Sequence, residues 1–125
     1  MRAIFLTLMT VTFLSTPAQA GDAAKGEKTY RKCASCHMIV PKAKNRVGPQ
    51  LNGILGREIA AIAGYKYSKG MLAYAADQKV WNEENLAAYL TSPRKVVKGT
   101  RMSFAGLRKQ TDRDNIIAYL KKAAK

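Results

Sequence analysis

Residues 33–37 read Cys33-Ala34-Ser35-Cys36-His37, and the architecture follows from what this stretch binds. Residues three apart on a helical turn share one face. Both thiols can therefore reach the two vinyl groups of one porphyrin, and the next residue projects its imidazole toward the iron. Cys-x-x-Cys-His is the pattern for covalent haem attachment, and proximal imidazole ligation is one of a protein's main levers on haem electronics. Other readings compete with this one. A thioredoxin-like redox pair belongs at the end of a strand in a βαβ unit, whereas the preceding stretch, Asp22 to Lys32, is rich in Ala and Lys and reads as helix. A structural zinc site needs four ligands, and the whole chain has 2 cysteines and 1 histidine. The plainest alternative is a small disulfide beside an isolated histidine.

Upstream of the motif, Arg2 precedes an apolar run from Ala3 to Leu14, followed by Ser15, Thr16, Pro17 and Ala18-Gln19-Ala20. This is the layout of a secretory signal peptide over residues 1–20 with cleavage after Ala20. The run is shorter than the ~20 residues a membrane-spanning helix needs, so an uncleaved segment retained as an anchor is the weaker reading. The remainder, Gly21 to Lys125, has the length of one compact domain. Export to an oxidising compartment means that the cysteine pair is either bridged or consumed by a cofactor, which fits haem attachment.

The chain carries 22 basic and 8 acidic residues, a formal net charge of +14, and cleavage would remove only Arg2 from that excess. So basic a protein seeks an anionic partner. No helix combines basic and base-reading residues in a recognisable motif, and an exported protein meets little nucleic acid, so none is expected as a partner. An acidic protein surface, or at most peripheral contact with anionic lipid, fits better. A lysine-rich coat that only confers solubility is the bland alternative.

Downstream, Val40 to Gly56 carries Pro41, Gly48, Pro49, Gly53 and Gly56 and reads as loop. Ser68 is placed to start a short helix through Ala76. Asn82 is placed to cap another through Leu90, with Pro93 stopping the turn beyond it. The final helix is expected from Thr111, with Asp114 completing an imperfect capping box, to Lys122. Its Ile116, Ile117 and Leu120 form the apolar side, and Lys121 and Lys122 suit the negative end of the helix dipole. The expectation is an all-α fold of three to five helices with long loops around one covalently bound haem c, which supplies the apolar mass that the short helices lack.

The sixth iron position separates electron transfer from ligand binding or peroxide chemistry. Met38 is tied to the proximal side by its neighbour His37. Met71 sits in a helix beside Leu72, where gap-filling packing is the ordinary role of a thioether. Met102 lies in the loop Lys98-Gly99-Thr100-Arg101-Met102, and a loop can bring a side chain to a metal without distorting a helix. Spacing alone favours Met102 and leaves Met71 open.

These residues resemble the class I cytochromes c, in the branch of mitochondrial cytochrome c and bacterial cytochrome c2. The resemblance covers nearly all of Gly21 to Lys125. Its landmarks include Arg46-Val-Gly-Pro-Gln-Leu51, Gly64-Tyr-Lys-Tyr67, Gly99-Thr-Arg-Met102, Phe104-Ala-Gly106 and Ile116-Ile-Ala-Tyr-Leu120. It implies a monohaem carrier of single electrons that is not an enzyme, with Met102 as distal ligand opposite His37. Pro49 resembles the proline whose carbonyl accepts the imidazole N–H of His37, a contact that orients the ring. Arg57, Tyr67 and Trp81 resemble the residues that hydrogen-bond or charge-balance the inner haem propionate. Tyr89 resembles the tyrosine near the methionine sulfur, and Phe104 the aromatic at the haem edge. Thr100, within the Met102 motif, is counted as a further haem contact. Gly26 and Tyr119 resemble the close contact between first and last helices.

The resemblance also implies a haem edge set among Lys32, Arg46, Arg94, Arg101, Arg108 and Lys109, positioned to meet acidic docking surfaces of redox proteins. The partners it implies are a cytochrome bc1-type donor, an oxidase, a reaction centre, or a dehydrogenase or peroxidase acceptor, met by a monomer in the periplasm. Two departures stand out. Lys98 occupies a place where the family often has proline, which leaves the Met102 loop less rigid. Asn45 occupies a place where vertebrate members have a loop histidine, which leaves the bracing of that loop open. Two other function classes remain beside the carrier: a haem enzyme or gas sensor with an open distal position, and a cationic membrane-binding protein.

Overall fold

A computed structural model describes residues 20–123; the expected signal peptide lies, apart from its last residue, outside them. Five helices follow one another: α1 Ala23–Tyr30, α2 Lys69–Gln78, α3 Glu83–Thr91, α4 Pro93–Val96 and α5 Gln110–Ala123. Among the described residues the only extended pairing is one isolated antiparallel bridge between Glu58 and Val80. The all-α expectation is met.

Local chemistry sets the helix starts. Asp22 accepts from the Ala24 and Lys25 N–H groups and starts α1, and Ser68 accepts from the Met71 N–H and starts α2. At α3, Asn82 accepts from the Asn85 N–H while Asn85 accepts from the Asn82 N–H, a reciprocal capping box. Each cap satisfies donors that the first helical turn leaves unpaired.

Some boundaries differ from expectation, among them the ends of α3 at Thr91 and α5 at Ala123, each one residue on. α2 runs on to Gln78, two residues past Ala76. Pro93 follows the end of α3 at Thr91, where Ser92 is already non-helical, as expected of a stop, and it also begins α4 as its first residue, because a first-turn residue has no intrahelical use for its N–H and the proline φ already suits a helix. Thr111 lies inside α5, which starts at Gln110, so it is not the cap.

α1 packs across α5, and α3 packs against α4 and α5. The α1–α5 crossing is close because Gly26 has no side chain: a methyl group there would lie 2.7 Å from Tyr119 Cβ and would overlap the Asn115 carbonyl. The Asp22 N–H donates to Asn115 Oδ1 at 2.7 Å, and the Tyr30 and Tyr119 rings stack at 5.3 Å. An exposed ion pair between Lys121 and Glu83 adds a contact between α5 and α3, worth at most ~1 kcal/mol in solvent.

The loop between motif and α2 is held by backbone bonds rather than by an element. Gly56 N–H donates to the Trp81 carbonyl, Trp81 N–H to Arg57 and Ile59 N–H to Lys79, at 2.7, 2.9 and 2.8 Å. The buried apolar residues include Ile54, Trp81, Leu86, Tyr89, Ile116 and Leu120. Those same side chains line a cavity of about 340 Å³, so the core is built around a space instead of closing on itself.

Candidate functional site

The motif forms one helical turn directly after α1. His37 N–H donates to the Cys33 carbonyl at 2.9 Å, the i to i+4 bond that sets both thiols on one side. Cys33 and Cys36 are free thiols, not a disulfide, and both line the cavity with His37. Burial pushes the Cys33 thiol up, against the opposing pull of Lys32. Among the described residues no group of three or more His, Cys, Asp or Glu side chains is arranged to hold a metal ion, so the zinc alternative finds no ligand set.

The His37 ring is fixed from several sides. Its Nδ1 lies 2.7 Å from the Pro49 carbonyl, so that nitrogen carries the proton and donates it, leaving Nε2 with a free lone pair. Behind the ring, a methyl group on Gly48 would sit 2.7 Å from both ring nitrogens, so glycine makes the bed on which the imidazole lies. Tyr30 Oη donates to the His37 carbonyl at 2.8 Å. Burial lowers the imidazole pKa against the raising effect of the Pro49 carbonyl, with Arg57 lowering it further. A neutral imidazole is the form that ligates a metal.

Met102 comes from the loop between α4 and α5. Tyr89 Oη lies 3.8 Å from its Sδ and 3.3 Å from Thr100 Oγ1, which in turn accepts from the Met102 N–H at 3.3 Å. Met71 also lines the cavity, so it is not only packing within α2. Met38 is not among the lining residues.

Pro49, Arg57, Tyr67, Trp81, Tyr89, Thr100 and Phe104 all face the same cavity. Arg57 Nη1 donates to the Asn52 carbonyl at 3.0 Å, and among the described residues no carboxylate forms an ion pair with it. Burial lowers its pKa. A half-buried guanidinium without a protein carboxylate is a ready partner for an anionic group inside the cavity. Tyr67 Oη meanwhile accepts from the Ile62 N–H at 3.3 Å.

The residue set fits haem c on grounds internal to the chain: paired free thiols on one face, a neutral imidazole on a glycine bed, a thioether in the same cavity wall, and an unpaired guanidinium. Of the six cationic positions expected at the haem edge, all are exposed. Lys32 and Arg101 line the cavity, and Arg46 Nη1 donates to the Ala34 carbonyl inside the motif at 3.3 Å. Arg94 lies on α4, and Arg108 and Lys109 immediately precede α5.

Sequence reasoning gave Gly48 as loop punctuation and within the Arg46–Leu51 landmark, without a role toward His37, and passed over Tyr30. The assignment of the adjacent Pro49 to the His37 imidazole was a signal for the first; nothing local pointed to the second. The bracing left open at Asn45 is resolved: its Oδ1 accepts from the Gln50 N–H at 3.1 Å and its Nδ2 donates to the Ala63 carbonyl at 3.4 Å.

No protein-family model matches the chain. Among curated proteins, it is 46% identical over 101 residues to cytochrome c2 of Rhodoblastus acidophilus, spanning 81% of this chain and 92% of that protein. It is 44% identical over 100 residues to cytochrome c2 of Agrobacterium tumefaciens, 80% of this chain and 90% of that protein. Cytochrome c of the plant Nigella damascena is 41% identical over 107 residues, 85% of this chain and 94% of that protein. Among solved structures, cytochrome cH from Methylobacterium extorquens superposes with a TM-score of 0.74 at 38% identity, over 82% of this chain and 99% of that one. Likeness of this length and depth, on a cavity with this chemistry, places the chain in the class I cytochrome c family, in the branch of bacterial cytochrome c2 and mitochondrial cytochrome c, as a monohaem electron carrier with covalent haem c.

Proposed function

We propose that Cys33 and Cys36 carry the thioether links, that His37 and Met102 are the axial ligands, and that the chain, freed of residues 1–20, shuttles single electrons in the periplasm between membrane redox complexes. The observation that carries this reading is the convergence of two free thiols, an oriented imidazole and a thioether on one cavity. Haem c supplies the one-electron Fe(II)/Fe(III) couple. The chain's own residues do the rest. His37 is held in its ligating tautomer by Pro49, Tyr89 and Thr100 steady the Met102 side chain, and Arg57 with Tyr67 and Trp81 would balance a haem propionate. Held by His37 and Met102 in both oxidation states, the iron would have little to rearrange on electron transfer, and a neutral thioether would favour the ferrous state. A sixth position closed by Met102 would suit a carrier rather than an enzyme or gas sensor.

The partners proposed are acidic docking faces on a cytochrome bc1-type donor and on an oxidase, reaction centre, dehydrogenase or peroxidase acceptor, met by a monomer. Support for encounter comes from the exposed cations Lys32, Arg46, Arg94, Arg101, Arg108 and Lys109. Among the described residues no helix is long and apolar enough to cross a membrane. The test is carbon monoxide added to the reduced holoprotein, with the red absorbance of ferric iron–thioether ligation read in parallel. The parent should bind carbon monoxide slowly and show the red band, Met102→Ala should bind rapidly and lose it, and Met71→Ala should keep it. A band that disappears in Met71→Ala and survives in Met102→Ala reverses the ligand assignment.

A further inference from the structure

The loop that carries Met102 enters through a tight turn at residues 97–100. Thr100 N–H donates to the Val97 carbonyl at 3.1 Å, Gly99 has φ +74°, and Lys98 is not among the residues with positive φ. A second residue of negative φ followed by a third of positive φ defines a type II turn. Type II differs from type I by a flip of the central peptide, here the Lys98–Gly99 link, whose carbonyl belongs to Lys98. Proline is favoured at the second position because it sets φ in advance. Lys98 leaves that torsion unset.

Something else holds the flip state. Gly70, the second residue of α2, faces this peptide: a methyl group there would overlap the Lys98 carbonyl oxygen and lie 2.9 Å from its carbon, with Val97 Cγ1 at 3.5 Å. Gly70 does not have a positive φ, and nearly any other residue would favour the helix more. Close backbone approach is the one property that requires glycine here. From the turn, the line runs through Thr100, whose Oγ1 accepts from the Met102 N–H, to Tyr89, which touches both Thr100 Oγ1 and Met102 Sδ.

We infer that Gly70 is a positioning residue for the distal ligand: by letting α2 seat the Lys98 carbonyl, it fixes the turn in its type II form and so holds Met102 toward the cavity. α2 thereby takes over the bracing that proline at position 98 would otherwise supply. The inference rests on Met102 being the distal ligand.

The test uses the holoprotein with Gly70→Ala, Lys98→Pro and the double variant. Val97 at φ −118°, ψ 96° has the extended backbone that a residue preceding proline adopts, and among the described residues the Lys98 N–H donates no hydrogen bond, so Lys98→Pro fits the turn. Gly70→Ala should lose much of the red band and bind carbon monoxide about tenfold faster, at the low end of what a strained backbone contact costs. Lys98→Pro should bind carbon monoxide more slowly than the parent and should restore the band in the Gly70→Ala background. An unchanged band and unchanged carbon monoxide rate in Gly70→Ala, whatever happens to the unfolding midpoint, overturn the inference by reducing the contact to packing. If Gly70→Ala yields no folded holoprotein, Lys98→Pro alone decides: a rate equal to or faster than the parent's overturns it. Failure of the ligand reading is seen separately, as a red band that survives Met102→Ala.

Discussion

At Gly48 and Pro49 two adjacent backbone units settle the chemistry of one imidazole. The Pro49 carbonyl accepts from the His37 Nδ1 N–H at 2.7 Å, and Gly48 leaves room for the ring to lie flat against the chain. The first fixes which nitrogen is free, the second fixes where it points. In Gly48→Ala the added carbon meets both ring nitrogens at 2.7 Å, so ring or loop must move. Overpacking of this kind costs about 1–3 kcal/mol. The expected outcome is a thermal midpoint lowered by several degrees together with altered haem absorbance in the imidazole-sensitive region; a normal spectrum at a normal midpoint would show that the loop yields freely. Asn45 illustrates another residue-scale solution. One amide accepts from Gln50 and donates to Ala63, joining two stretches of loop without a charge that titrates near neutrality.

Among the elements, α1 and α5 form the joint on which the attachment turn is mounted, since the motif begins three residues after α1 ends. The joint depends on Gly26, whose missing side chain lets α1 reach the Asn115 carbonyl and the Tyr119 stem. Gly26→Ala would raise helix propensity by about 1 kcal/mol, yet the clash with backbone should outweigh it and leave a net loss of about 1–3 kcal/mol. Denaturant unfolding of the holoprotein measures this, and a net gain would mean that the helices separate at little cost. The helix starts at Ser68 and Asn82 were legible because a cap is local chemistry between neighbours. Pro93 was read for only one of its two roles, because the missing N–H that stops one helix also suits the first residue of the next. The haem motif, the Met102 loop and the Gly26–Tyr119 crossing were visible in sequence through spacing or resemblance. Gly70 against Lys98 was not. Its partners are far apart in the chain, and the contact involves a backbone carbonyl that no residue type announces.

For the molecule as a whole, the decisive quantity is the imbalance of 22 basic against 8 acidic residues. One of those acids, Glu83, is engaged by Lys121 on the α3–α5 side, whereas Lys32, Arg101 and Arg46 stand at the cavity and the attachment turn without a carboxylate partner among the described residues. Under the proposed function these cations stand beside the site where electrons would enter and leave, among many other basic residues that likewise lack a carboxylate partner among the described residues. Long-range attraction of this kind acts on encounter more than on the bound state, so it raises the association rate while leaving release fast, as a shuttle requires. Raising ionic strength from about 0.01 to about 0.15 M shortens the Debye length from ~30 Å to ~8 Å. The second-order rate of electron transfer to an acidic redox partner should then fall by about tenfold or more. Arg94→Glu, which reverses an exposed charge on α4 that does not line the cavity, should lower the rate at low salt, converge on the parent at high salt and leave the reduction potential nearly unchanged. Stopped-flow traces across a salt series read all of these at once. A flat profile for the parent would mean that the positive surface serves solubility alone and that docking is governed by apolar contact at the haem edge.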